Sequence, residues 1–169
     1  METIVLNTFI LISISTLLTL VALSCLMVGF NLLTMNQKLG SLDLSLIPDN
    51  ILTIYNITYW SILVTPIMLI ASTCIMWFIR SKYIGYLVVC GLYLLLYIYI
   101  MILGILSVIF LNDYRESDNQ AIPSSVSLST LFLSYIVVYL NIFMIILMPL
   151  CMLIVLKPLK YLNIQKTTL

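Results

Sequence analysis

The 169-residue sequence contains no histidine. That absence removes bis-histidine haem ligation, histidine-containing zinc sites and every histidine-based catalytic triad. Charge is almost as scarce: seven Lys and Arg and six Asp and Glu amount to 8% of the chain, against about 25% in an average soluble domain. A net charge of +1 offers no basic face to nucleic acid, and no run of like charges marks an interaction tail. Glycine-rich phosphate loops and paired catalytic carboxylates are missing too. Asp113, Glu116 and Asp118 cluster beside Arg115, which reads as a solvated, self-neutralising loop in preference to a cation site. This inventory predicts a protein that is not an enzyme and needs no cofactor.

Cysteine is sparse and placed away from the loops. Cys25, Cys74, Cys90 and Cys151 all fall inside long apolar runs, so no disulfide is expected in the outward loops. That departs from claudins and from the tetraspanins proper, whose outer loops carry paired cysteines. No Cys-x-x-Cys pair suggests a thiol oxidoreductase, and a cysteine within an apolar run usually serves as a small hydrophobe.

What the chain has in abundance is apolar surface. It is 63% hydrophobic, more than a soluble domain of this size can hide. Uncharged stretches cover 3–37, 51–79, 83–112 and 120–156, each longer than the roughly 20 residues needed to cross a bilayer. Trimming their polar ends predicts helices near 4–33, 58–79, 83–111 and 127–156, with outer loops at 34–57 and 112–126. The runs are continuously apolar and lack the alternating polarity of a membrane barrel. The predicted fold is therefore all-α: an integral membrane protein with four transmembrane helices in a left-handed bundle, forming a single four-span domain over 1–169. The first apolar run follows Glu2, with no basic start, and is about twice as long as the apolar core of a secretory signal, so it is expected to persist as the first span. No span contains a charged residue, which argues against proton pumping, ion-coupled transport and voltage sensing.

The few charges orient the chain. Arg80 and Lys82 lie in the short turn between the second and third spans, and Lys157, Lys160 and Lys166 follow the fourth. These are five of the seven cations. In a four-span protein that turn shares a side with both termini, so the excess of Lys and Arg predicts cytoplasmic ends. Arg80, Lys82, Lys157 and Lys160 are read first as topology determinants; a lipid-headgroup or partner contact by Arg80 and Lys82 is the sharper alternative.

Inside the spans, polar residues recur at helix-packing spacing. Ser127, Ser134 and Asn141 repeat every seven residues in the fourth span, and Thr8, Ser15, Ala22 and Gly29 do so in the first. The second span offers Ser61, Thr65, Met68 and Ser72, and the third Tyr86, Cys90, Tyr93, Tyr97 and Gly104. Small and hydroxyl-bearing side chains let membrane helices approach and bond to one another. Asn141, near the middle of its span, is expected to face a neighbouring helix. The alternative is a pathway or lipid pocket lined by Tyr93, Tyr97 and Asn141. Pro66 and Pro149 lie within spans, where each removes a backbone hydrogen bond and can kink the helix. In the first outer loop, Leu42 to Leu46 alternates apolar and polar residues before a turn at "IPDN", as a short strand or interfacial segment would. Asn56-Ile57-Thr58 is a possible glycosylation sequon, close to Trp60, an interface anchor.

The layout of four spans, cytoplasmic ends, a moderate first outer loop and a tiny inner turn is similar to the broad tetraspan class that includes the MARVEL and membrane-spanning four-domain families. The resemblance is architectural, covers the whole chain and carries no family-specific motif. It implies a role in organising membrane partners. The expected function is accordingly that of a non-enzymatic multi-pass protein serving as an accessory subunit or organiser. Its expected partners are the lipid bilayer and other membrane proteins or a second copy of itself, with no nucleic acid. A plasma-membrane or endomembrane location is preferred to the mitochondrial inner membrane. Two alternatives stand beside it: a small hydrophobic subunit of an organellar respiratory complex, favoured by size and Met, Ile and Leu content, and an oligomeric pore or lipid-binding protein.

Overall fold

The structure, a computed structural model, describes residues 2–39, 48–116 and 124–167, with side chains over 2–35, 48–116 and 125–156. It consists of α1 (Glu2–Leu39), α2 (Asp49–Phe78), α3 (Lys82–Glu116) and α4 (Ser124–Thr167). All four helices are long and apolar enough to cross a membrane. Even α2, at 30 residues, is about 45 Å long at 1.5 Å per residue, so helix continues beyond a hydrocarbon layer of about 30 Å.

The helix ends correct the loops expected from composition. α2 begins nine residues before the predicted 58, so most of 48–57 is helix, and α3 runs through Asp113, Arg115 and Glu116. The cause at α2 is local. Pro48 holds φ −55° and ψ 133°, and its carbonyl accepts from Ile51 N at 2.9 Å, while Asp49 places a negative charge in the positively polarised first turn. Polarity there marks a helix start, where composition alone suggests a loop. The alternating segment 42–46 and Asp118 lie outside the described residues. Lys157 and Lys160 fall on the backbone of α4, beyond the described side chains.

The second and third helices meet in a very short turn. Ile79 is extended, its N–H donating to Ile75 O at 3.0 Å, and Gly85 N donates to Ser81 O at 3.1 Å. Lys82 Nζ donates to Met76 O at 2.7 Å and Trp77 O at 3.3 Å. A lysine that reads as a topology signal thus also satisfies carbonyls at the end of α2 that have no partner within the helix. Arg80 is exposed.

Around the bundle the helices follow chain order. α3 packs on α4 and α2, α1 packs on α4 and α2, and α1 also meets α3 across the middle, while α2 and α4 barely touch. The cross-section is a rhombus with α1 and α3 on its short diagonal. Its core includes Leu23, Leu26, Phe30, Tyr86, Val89, Tyr93, Tyr97, Ile100 and Val137. Two glycines permit the closest approaches. A Cβ on Gly104 would lie 2.8 Å from Val138 Cγ2, and one on Gly29 would lie 3.0 Å from Thr130 Oγ1. Both contacts press α4 against its neighbours. α4 continues through Pro149 and α2 through Pro66.

Candidate functional site

The candidate site is the polar seam inside the bundle. The structure buries all of the hydroxyl and carboxamide residues singled out by spacing: Thr8 and Ser15 on α1, Ser61, Thr65 and Ser72 on α2, and Ser127, Ser134 and Asn141 on α4. On α3, Tyr86, Cys90, Tyr93, Tyr97 and Gly104 are likewise buried. Heptad spacing found them because an inward stripe on a packed helix recurs about every seven residues.

Burial did not foretell the partners. Most of the Ser and Thr hydroxyls donate to the carbonyl one turn back on their own helix, as Thr65 does to Ser61 O at 2.7 Å and Ser134 does to Thr130 O at 3.0 Å. Such return bonds hide a hydroxyl at low cost and join nothing. The bonds between helices are made chiefly by the tyrosines of α3. Tyr97 Oη and Thr16 Oγ1 are 3.0 Å apart, linking α3 to α1, and Tyr93 Oη and Ser72 Oγ are 2.8 Å apart, linking α3 to α2. Ser61 Oγ also approaches Tyr99 Oη at 3.3 Å. Tyr93 and Tyr97 stack one turn apart, their centroids separated by 6.2 Å. Together they place two phenols at the centre of the rhombus, each bonded to a different helix. Thr16 and Tyr99 lay outside the spacing pattern, and only helix rotation and register reveal them.

Asn141 faces the bundle interior as expected, but its hydrogen bond does not cross to another helix. It is fully buried, yet Nδ2 donates to Val137 O of its own helix at 2.7 Å, and Oδ1 has no partner among the described residues. The carboxamide therefore joins α4 to no other helix. Of Tyr93, Tyr97 and Asn141, the trio expected to line a pathway or lipid pocket, Tyr97 alone borders the small cavity at the bundle centre. Beside Tyr97 lies a cavity of about 10 Å³, walled by Ile12, Ser15, Met144, Met148 and Cys151, about the size of one water.

The sequon is also reshaped. Asn56 is exposed on α2, but Thr58 is fully buried and its hydroxyl donates to Ile54 O at 2.8 Å. In the fold, the sequon is helical with its threonine turned inward.

The outward faces are largely apolar, and among the polar side chains exposed on them a pair of tyrosines stands midway along the uncharged part of α4. Tyr135 and Tyr139 stack at 6.4 Å on the outer face of α4, and Tyr139 is 68% exposed. Residues 138–141 lie at the middle of the uncharged stretch 120–156, so Tyr139 stands at the midpoint of that stretch. Among the described residues its hydroxyl has no hydrogen-bond partner. Exposed leucines and isoleucines carry no such penalty in lipid.

Compared with protein families, with curated proteins and with solved structures, the chain matches none.

Proposed function

We propose that this chain is a non-catalytic multi-pass membrane protein, a left-handed four-helix bundle with both ends cytoplasmic, that works by docking a neighbouring transmembrane helix as an accessory subunit or organiser. The observation that carries this reading is Tyr139. A phenol facing hydrocarbon near the bilayer centre leaves a donor and an acceptor unmet, whereas tyrosines in contact with lipid normally collect at the two interfaces. A helix laid along α4 would supply the missing partner. Leu128, Phe132, Tyr135, Tyr139, Ile142 and Ile146 are all exposed at alternating spacings of four and three, the stripe that a packed pair of helices shares. The interior agrees with this reading, because among the described residues most buried hydroxyls make helix-to-helix or return bonds, Tyr86 Oη excepted.

A photoreactive amino acid placed at 139 tests the idea in native membranes. A discrete protein adduct is expected there, and none from the same probe at Leu95, an outward residue of α3 that is 66% exposed. An adduct of twice the chain's mass identifies self-association, and any other mass a different partner. Tyr139→Phe should weaken the association about threefold, matching a bond worth about 0.6 kcal/mol in lipid. Adducts with lipid alone would overturn the reading.

A further inference from the structure

We infer that the inner end of the bundle holds a binding site for one phospholipid whose headgroup carries a primary ammonium. The site is a groove of about 410 Å³ between the start of α1 and the α2–α3 turn, lined by Glu2, Thr3, Val5, Leu6, Met76 and Lys82. Its volume falls within the roughly 300–1,000 Å³ of small-ligand sites and is far larger than a bound ion needs. Val5, Leu6 and Met76 give it apolar walls, and Glu2 and Lys82 bring one charge of each sign to it. These two do not neutralise each other: Lys82 Nζ is turned to Met76 O and Trp77 O, with no bond to Glu2.

That arrangement is complementary to a zwitterion. Lys82 has three N–H donors, two of them engaged by carbonyls, so one remains for a phosphate oxygen. Because the helix end already fixes the ammonium, little side-chain freedom is lost on binding. Glu2 presents acceptors that a primary ammonium can meet with N–H donors and that a quaternary ammonium cannot. An anionic headgroup would bring its net charge beside the Glu2 carboxylate. The depth agrees: Trp77 and Phe78, 79% and 82% exposed at this end, are placed as residues at a membrane interface are. The acyl chains would then follow the apolar walls into the bilayer.

This inference rests on the chain spanning a membrane and is independent of any partner on α4. Native mass spectrometry of the purified full chain, given equal amounts of phosphatidylethanolamine, phosphatidylcholine and phosphatidylglycerol with identical acyl chains, tests it. One phosphatidylethanolamine should be retained several-fold over the other two. Glu2→Gln should bring it down to the phosphatidylcholine level, and Glu2→Lys should turn the preference toward phosphatidylglycerol. Lys82→Gln, which keeps two N–H donors for the helix end, should lower retention of all three, with helical content by circular dichroism confirming the fold. Equal retention of the three lipids by the unaltered chain would overturn the site, as would a phosphatidylethanolamine preference indifferent to both Glu2 substitutions. The lipid ranking of the unaltered chain decides the matter even if a variant fails to insert. A failure of cross-linking at 139 leaves this result untouched.

Discussion

Asn141 combines full burial with an acceptor that nothing in the described chain satisfies. An unmet buried polar atom costs on the order of 1–3 kcal/mol, and the Nδ2 bond to Val137 O recovers little, since that carbonyl belongs to a helix ladder. Leucine has a similar volume and no unmet group. Asn141→Leu is therefore expected to leave stability unchanged or to raise it by about 1 kcal/mol, read from unfolding in mixed detergent. A loss beyond about 1 kcal/mol would mean that Oδ1 bonds to a buried water or to another chain. This reverses the loss of helix association that its central position in the span suggests. Which residues turn inward was legible at this scale, because Ser127, Ser134 and Asn141 share one stripe. What they bond was not, because a serine or asparagine in a helix always has its own carbonyl one turn back to choose. Tyr93 and Tyr97 differ: their hydroxyls stand too far from the backbone for that return, so they reach Ser72 and Thr16.

Among the elements, α3 and α4 hold the closest contact, at Gly104. A methyl there would sit 2.8 Å from Val138 Cγ2 and 3.4 Å from Val138 N, so either the side chain or the helix must move. Gly104→Ala is expected to destabilise the bundle by about 1–3 kcal/mol, the usual cost of overpacking. Gly91 lies on the same helix with nothing within 4 Å of its absent Cβ. Gly91→Ala should be neutral or slightly stabilising, since alanine favours helix by about 1 kcal/mol over glycine. Equal unfolding midpoints for the two variants would refute the contact. The four helices themselves were plain in the sequence, because uncharged length alone requires them. Their ends were not: Asp49, Asn50 and Asn56 look like loop in a hydropathy reading, yet Pro48 and Asp49 start a helix there. Lys82 was seen as charge and not as a cap, because a cap depends on where the preceding helix stops.

For the whole molecule, the placement of five cations predicts which ends face the cytoplasm. In a background without the four cysteines, single cysteines at 81 and 166 should label from one side of the membrane, and those at 45 and 118 from the other. Labelling of 81 and 118 from the same side would refute four spans. The rhombus also bears on how the protein is made. α4 packs on both α1 and α3 and presses them at Gly29 and Gly104, yet it follows them in the chain. Until it arrives, the faces of α1 and α3 that it will cover stand open to acyl chains or to whatever assists insertion. The Thr16–Tyr97 and Ser72–Tyr93 bonds join α3 to α1 and to α2 with no contribution from α4. A chain cut short before residue 124 would lack the helix that closes the Gly29 and Gly104 sides of the bundle.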